Sequence, residues 1–394
     1  MIFIHRSYVS EVANSSVMFT EIDIDGDKKH VLVAVDREYG KFLSPERADH
    51  ALVGLLAYAL RNKHDIICEA PVTEELLYNI REILLPTFLR SNPRNYPVKI
   101  QATIAPPLDK LPFAKAVRGG VGTGMSCGVD SFYSTLKHLN SEYPSQNLTH
   151  LCVFNIGSIN TCYGEENIPR VKQKVFERTE TLAKEMNLPL VKLESNFQDV
   201  IPQNHYRSHT YMDALAIYSL QKLWRVYYYS SGFFFGDFTL KNNMDIAPPH
   251  FELLLLDCLS TANLKIISSG SEGDRNDKIA FIADNPLPQK YLHVCTSRET
   301  NCGVCEKCRR TLLALDAANK LDKFGAVFDI DAYNKNRGNN YLFLYDQFVL
   351  RGNSFYGKTY EILSRRHKNF FDEVDAQVKA QIEQQIKQQI KQQA

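Results

Sequence analysis

Met125-Ser126-Cys127-Gly128-Val129-Asp130-Ser131-Phe132-Tyr133-Ser134 is the stretch on which the reading of this chain turns. A Gly-rich run from Arg118 to Gly124 leads into it, and an amphipathic run from Tyr133 to Leu139 leaves it. Small and hydroxyl residues between an extended segment and an apolar-periodic one predict a tight turn that opens a helix. The start of a helix carries unsatisfied N–H groups and positive partial charge. With the hydroxyls of Ser126 and Ser131 beside it, such a turn is a cradle for an anion, and Gly128 lets the backbone approach a polyanion.

The rhythm downstream tells what kind of sheet holds this turn. Residues 150–156, 189–193, 226–230 and 264–267 read as strands. Residues 166–186, 211–224, 251–259 and 274–283 read as helices between and after them. Regular alternation at this spacing predicts an α/β fold, a doubly wound parallel sheet with helices on both faces. Ligands of such sheets bind beyond the carboxyl ends of the strands, which is where the 126–131 turn falls.

Upstream the pattern is mixed. Strands are expected at 1–5, 16–24 and 31–35, with a hairpin turn at Asp25-Gly26. Glu21, Asp23, Asp25 and Gly26 imitate the start of a calcium loop, but Leu32 stands where the closing Glu belongs, so the turn is structural. Ser44-Pro45 predicts the start of a helix through residue 60. A strand at 65–68, a helix at 74–85 capped by Thr73, and a strand at 96–104 complete an α+β accessory domain, residues 1–110. Its expected role is partner binding or covering a site.

Nine cysteines are present, and four are crowded: Cys295, Cys302, Cys305 and Cys308 form C-x6-C-x2-C-x2-C. An odd total with one dense cluster is a poor disulfide framework and a good metal site. Four soft thiolates suit tetrahedral zinc, and an iron–sulfur cluster takes the same ligands. Gly303 eases the turn between ligands, while Lys307, Arg309 and Arg310 would offset thiolate charge. Beyond them residues 334–340 read as a polar loop and 341–350 as an apolar run. Val374, Val378, Ile382, Ile386 and Ile390 recur every four residues in a Gln/Lys-rich tail. That stripe drifts by about 40° per step on a helix, which predicts a loosely docked tail and no coiled coil.

Composition sets outer bounds. The chain has 394 residues, enough for two or three domains: 1–110, 111–330 and a helical C-terminal extension, 331–394. A 44% hydrophobic and 23% charged composition excludes a disordered chain, and a net charge of +1 gives no general case for nucleic acid. No segment approaches the ~18 uninterrupted apolar residues of a membrane span. Met1-Ile2-Phe3-Ile4-His5 lacks the basic start of a signal peptide, so a cytoplasmic location is expected.

The segment Ser126-Cys127-Gly128-Val129-Asp130-Ser131 resembles the S-G-G-x-D-S signature of the PP-loop ATP pyrophosphatases, with Cys127 in place of the first Gly. Together with the cysteine cluster, the region from Gly119 to Phe324, about half of the chain, is similar to the 7-cyano-7-deazaguanine synthases (QueC-like proteins). The resemblance implies that Ser126, Gly128, Asp130 and Ser131 bind Mg·ATP, with Asp130 bracing the loop or in the Mg²⁺ shell. It implies an adenosine pocket at Asn155-Ile156-Gly157, a substrate loop at 230–237, a catalytic Lys278 and a structural Zn²⁺ on the four cysteines. It further implies adenylation of a carboxylate, 7-carboxy-7-deazaguanine, with release of pyrophosphate. The terminal additions, and Asn155-Ile156-Gly157-Ser158 where the family has Tyr-Gly-Gln-x-His, also fit QueC-like proteins of anti-phage operons, where the acceptor is a protein amine. Free nitrile synthesis from ammonia, and an inactive nucleotide-binding scaffold, are the alternatives.

Residues outside these motifs read as structure. Cys127 sits at a helix start that favours a thiolate, yet no His lies near it in sequence to act as a base, so a passive role is expected. Tyr227 to Tyr229 and Phe233 to Phe235 read as core, with base stacking as the alternative. His205 and His209, four apart around Arg207, read as lining for a polar loop or as a contact to phosphate or carboxylate.

Overall fold

A computed structural model describes residues 1–106, 119–157, 168–243 and 245–393, with the side chains of 168, 386–388 and 390–393 left aside. Arg118, Ser158 and Cys162 lie outside the described residues. The strands are β1 (Ile2–Ile4), β2 (Tyr8–Val12), β3 (Ser15–Ile24), β4 (Asp27–Asp36), β5 (Ile66–Cys68), β6 (Val72–Thr73), β7 (Ile100–Gln101), β8 (Ile104–Ala105), β9 (Gly120–Gly124), β10 (His150–Asn155), β11 (Leu190–Ser195), β12 (Trp224–Ser230) and β13 (Lys265–Ser269).

The fold is α/β, built on one large, mostly parallel sheet. Its order is β13-β12-β9-β10-β11-β4-β3-β1-β5-β7, with β2 added on β3; β6 and β8 pair separately. β13 to β11 are parallel neighbours, while β4 joins β11 antiparallel through Leu193–Val35, Glu194–Ala34 and Ser195–Val33. Side chains on a strand alternate between faces, and β12 shows both faces covered. Tyr228 stacks on His138 of the helix Val129–Leu139, with centroids 3.5 Å apart. The Tyr229 hydroxyl lies 3.0 Å from Thr210 Oγ1 of the helix His205–Ser219.

β9 occupies the centre of the parallel block although three of its five residues are glycine. The fully buried Trp224 explains this: a Cβ on Gly120 or Gly122 would meet its ring at 3.2 or 2.7 Å. The indole supplies the apolar bulk that the strand lacks.

Packing divides the chain into two compact units, Met1–Glu272 and Gly273–Ala394. This differs from the three segments expected from the sequence. The first hundred residues share one sheet and one core with those after Gly119, because β4 pairs with β11.

Several element boundaries differ as well. Asp25 (φ +53°) and Gly26 (φ +90°) do turn the β3–β4 hairpin. Ser44-Pro45 does not start a helix; Arg47, buried and hydrogen bonded to Thr73 Oγ1 and the Pro106 carbonyl, anchors this segment, and the helix begins at Asp49. Thr73 precedes its helix without capping it, since its hydroxyl donates to Asp49 (2.5 Å). That helix runs on through a π turn, Asn79–Leu84, to Ser91. The helix expected at 211–224 lies at His205–Ser219, and Trp224 opens β12.

In the second unit, the expected loop at 334–340 is helical, within Ile330–Lys335 and Arg337–Tyr345. Tertiary contacts override its polar composition: Tyr333 and Tyr341 each donate to buried Asp316 Oδ2 at 2.9 Å. The tail is the helix Lys368–Gln393, docked through Phe371 and Val374, whereas Ile382 is exposed. No helix among the described residues is long and apolar enough to cross a membrane.

Candidate functional site

The 126–131 turn leaves β9 at its carboxyl end and opens the helix Val129–Leu139, as the sequence predicts. Two contacts fix its start. The Met125 N–H donates to the Cys152 carbonyl of β10 (2.7 Å), and the buried Thr179 hydroxyl donates to the Met125 carbonyl (3.4 Å). Ser126, Gly128 and Ser131 then lie together: Gly128 N–H to Ser126 Oγ is 3.3 Å, Ser126 Oγ to Ser131 Oγ 3.3 Å, and Ser131 Oγ to the Gly128 carbonyl 3.0 Å. Gly128 is the N-cap residue and has no side chain to satisfy the first N–H groups of the helix. Asp130 stands in its first turn, half-buried.

Cys127 takes a left-handed backbone, φ +59°, with its side chain 1% exposed. It points into the protein, away from the solvent that reaches Ser126. Burial pushes its thiol up to about 11, against the opposing pull of Arg178. A protonated, enclosed thiol is a packing group, in line with the passive role expected.

On the next strand, Asn155 ends β10 and is 8% exposed, and its Oδ1 has no hydrogen-bond partner among the described residues. Gly157 follows with φ +104°, pressed so tightly on Gln198 that a Cβ would stand 2.3 Å from that side chain's Cβ. Both lie at the carboxyl edge of the sheet. Lys278 belongs to the second unit, where it is buried in the helix Arg275–Ile282. The rings of His205 and His209 neighbour each other, tilted by 35°, in the first turns of their helix, 5.8 Å between centroids.

Two residues the motif reading passed over, Asp213 and Glu272, join Tyr229, which the sequence read as core, in this part of the first unit. Tyr229 is buried and its pKa lies well above the usual range, first from burial and then from the charges of Asp213, Glu252 and Asp130. Asp213, on the helix His205–Ser219, has its carboxyl pushed up to about 7 by burial. The only signal in sequence was one acid inside the apolar run Tyr211-Met212-Asp213-Ala214-Leu215. Tyr227 and Tyr228 are buried, as expected of core, whereas Phe234, Phe235 and Phe238 are exposed. Glu272 ties the helix Val129–Leu139 to the segment after β13. It accepts from the Tyr133 hydroxyl (2.7 Å) and pairs with Lys137, and these hold its pKa down at about 2 against its burial.

The second unit carries four cysteines placed so that they could hold a metal ion. The Sγ atoms of Cys295, Cys302, Cys305 and Cys308 all lie within 4.8 Å of one another, with Cys302–Cys308 at 4.0 Å and Cys305–Cys295 at 3.9 Å. Tetrahedral zinc with Zn–S near 2.3 Å sets sulfurs about 3.8 Å apart, so this donor set fits a single ion such as zinc. A multi-iron cluster would spread its thiolates over separate irons. Gly303 takes φ +72° in the knuckle, and Cys305 immediately precedes the helix Glu306–Ala317. Burial opposes the Cys302 thiolate, yet the N–H groups of Cys305 and Val304 bring its pKa down to about 7.

Asn301 is the brace of this knuckle. Its Oδ1 accepts from Val294 N (2.9 Å) and Cys295 N (3.2 Å), and its Nδ2 donates to the Leu292 (2.8 Å) and Val327 (3.1 Å) carbonyls. Arg309 and Arg310 lie over the rings of Phe343 and Phe355, at 5.1 and 5.6 Å.

No protein-family model matches this chain, and neither a curated protein nor a solved structure matches it.

Proposed function

We propose that the chain is a PP-loop-type, QueC-like ligase that uses Mg·ATP to adenylate a carboxylate, in the best case 7-carboxy-7-deazaguanine, and passes the acyl group to an amine. The observation that carries this reading is the turn itself. Ser126, Gly128 and Ser131 converge at the carboxyl end of the central parallel strand, where a helix of 11 residues begins. Few arrangements suit a polyphosphate better.

In this mechanism the turn holds the β- and γ-phosphates, and Asp130 braces it or sits in the Mg²⁺ shell. A carboxylate oxygen of the substrate attacks the α-phosphorus; the new O–P bond forms as the bond to pyrophosphate breaks. The amine nitrogen then attacks the acyl carbon, AMP leaves with the electron pair of the C–O bond, and the amine proton goes to solvent. Positioning and neutralisation of phosphate charge supply most of the rate. Asn155 and Gly157, at the neighbouring strand end, would border the nucleoside, and Lys278 is assigned to catalysis by resemblance. Zinc on the four cysteines would hold the second unit's knuckle together. A cytoplasmic, antiviral setting with a protein acceptor bound by the terminal segments accords with the same resemblance.

The test is ATP–pyrophosphate exchange in the presence of 7-carboxy-7-deazaguanine, with and without ammonia. Exchange that depends on the carboxylate, and falls at least tenfold in Ser131→Ala and Asp130→Ala, is the expected result. Absence of exchange with this and a panel of other carboxylates would overturn the adenylation reading.

A further inference from the structure

Three neutral amides gather at the carboxyl edge of β10 and β11, and each keeps a polar atom to which the fold gives no partner. Asn155 is the last residue of β10, in register with Glu194 of β11. Two residues on, Gly157 lies against the side chain of Gln198, whose Cδ would stand 3.7 Å from a Cβ on the glycine. Gln198 in turn donates through Nε2 to the Gln203 carbonyl (2.6 Å). The segment that carries both glutamines is tied to β4. Asn196 accepts from the Leu32 N–H (2.8 Å) and donates through Nδ2 to the His30 carbonyl (2.9 Å).

Asn155 Oδ1, Gln198 Oε1 and both amide atoms of Gln203 are enclosed from solvent and have no hydrogen-bond partner among the described residues. Asn155 as a whole is 8% exposed. A buried polar atom has given up its water, so several of them left unpaired in one corner mark a place that a ligand completes. Their chemistry narrows the ligand. Carbonyl oxygens turn away phosphate and carboxylate, and the NH₂ group of Gln203 turns away a metal ion. The Gln203 amide presents a donor and an acceptor side by side, whichever way round its O and N are set. Its match is a flat group that accepts and donates at adjacent atoms. A nucleobase edge is such a group, and a glutamine reads it through paired hydrogen bonds.

We propose that Gln203, with Gln198 and Asn155 beside it, determines specificity by reading the edge of a nucleobase. The adenylation reading supplies two bases of this chemistry, and the inference rests on that reading for this choice alone. One is the adenine of ATP, with an amino group next to a ring nitrogen. The other is the guanine-type ring of the acid, with an N–H next to a carbonyl. Either pairs with Gln203 through two bonds, and the oxygens of Asn155 and Gln198 accept from the remaining N–H groups. Selectivity comes from what the wrong base leaves undone, because the amide atoms then stay dry and unpaired. No covalent bond changes at this corner; it selects and orients the ring.

Isothermal titration calorimetry on the whole chain tests this without turnover. The probes are two pairs: ATP against purine riboside triphosphate, which lacks the amino group, and 7-carboxy-7-deazaguanine against its 2-deamino analogue. One pair is expected to differ at least tenfold in affinity in the wild type. That difference should vanish in Gln203→Met, which keeps the length of the side chain and removes both hydrogen-bonding atoms; Gln203→Ala serves if the methionine unfolds the chain. The pair that responds identifies the occupant. A wild type that distinguishes neither pair, or a preference undiminished in a folded Gln203 variant, overturns the proposal, while carboxylate-dependent pyrophosphate exchange would still stand for adenylation. Base selectivity that depends on Gln203, without exchange for any carboxylate, leaves the base-reading corner standing and removes the adenylation.

Discussion

The indole of Trp224 covers Gly122 so closely that a Cβ on the glycine would stand 2.7 Å from Cζ3. A glycine-rich strand at the centre of a sheet is ordinarily a weakness, because glycine loses the most entropy on folding and offers nothing to pack. Here the bulk comes from the neighbouring strand. The 126–131 turn thus hangs from a strand whose stability resides in Trp224.

Gly122→Ala should therefore cost about 1–3 kcal/mol through overpacking against the indole. Gly124→Ala, whose new Cβ would meet only Tyr227 Oη at an ordinary 3.5 Å, should cost under about 1 kcal/mol. Urea denaturation of the two variants checks the pair. Equal losses would show that the indole does not act as the filler of this strand.

Cys127 is the residue at which the turn departs from the S-G-G-x-D-S pattern it resembles, and its surroundings say why a side chain is tolerated there. A left-handed non-glycine residue carries about 1–2 kcal/mol of backbone strain, offset by enclosing the thiol. With the thiol buried and pushed up to about 11, the native chain should resist iodoacetamide at Cys127 at pH 8, and urea should expose it. Cys127→Ala should retain carboxylate-dependent pyrophosphate exchange within about twofold, because the side chain points away from the ligand edge. Rapid native alkylation, or a loss of exchange beyond tenfold in a folded variant, would return the thiol to the chemistry.

Asp213 gives the folded state a pH signature. Its carboxyl titrates at about 7 when folded and near 3.9 when unfolded. Between those values the folded chain binds more protons than the unfolded one, so stability falls as pH rises through this window. The cost of the buried charge is absent at pH 4 and complete above pH 7. Asp213→Asn removes it, so the variant should gain about 1–3 kcal/mol over the wild type at pH 8 and nothing at pH 4, the range being lowered for partial contact with solvent. A pH-independent difference would mean the carboxylate is stabilised by a charge partner.

What was legible in the sequence was local. The alternation of strands and helices after Gly119, the turn at 126–131 and the Asp25-Gly26 hairpin each depend on a few adjacent residues with distinct backbone or burial preferences. The antiparallel pairing of β4 with β11 was not legible, because nothing near Val33 or Ser195 encodes a partner some 160 residues away. The same holds for Asp213 and Glu252, which sequence places far from Asp130 and which meet at Tyr229 only through the order of the strands. Helix 337–345 was misread because its stability comes from Tyr341 reaching Asp316, while its exposed face carries the polar residues that suggest a loop. Asn301 was legible in principle: an amide immediately before Cys302 is the residue type that satisfies a knuckle's backbone.

That amide gives the metal site its sharpest test. The four cysteines come from two arms, Cys295 on one and Cys302, Cys305 and Cys308 on the other, and Asn301 ties the first arm through the N–H groups of Val294 and Cys295. Neither of these bonds involves a sulfur, so Asn301→Ala leaves every ligand in place and removes only the positioning. Purified wild type should hold about one zinc per chain with no visible absorption, as a d10 ion on four thiolates requires. Asn301→Ala should lose affinity by about 10–100-fold in a chelator competition, as outer-shell partners do, while Asn301→Asp, which keeps the two accepted N–H bonds, should recover most of it. Cys305→Ser should lose the metal outright. If Asn301→Ala binds zinc as tightly as the wild type, the ligands are preorganised by the helix Glu306–Ala317 alone; if the protein is brown and carries iron, the spacing of the sulfurs must widen to admit a cluster.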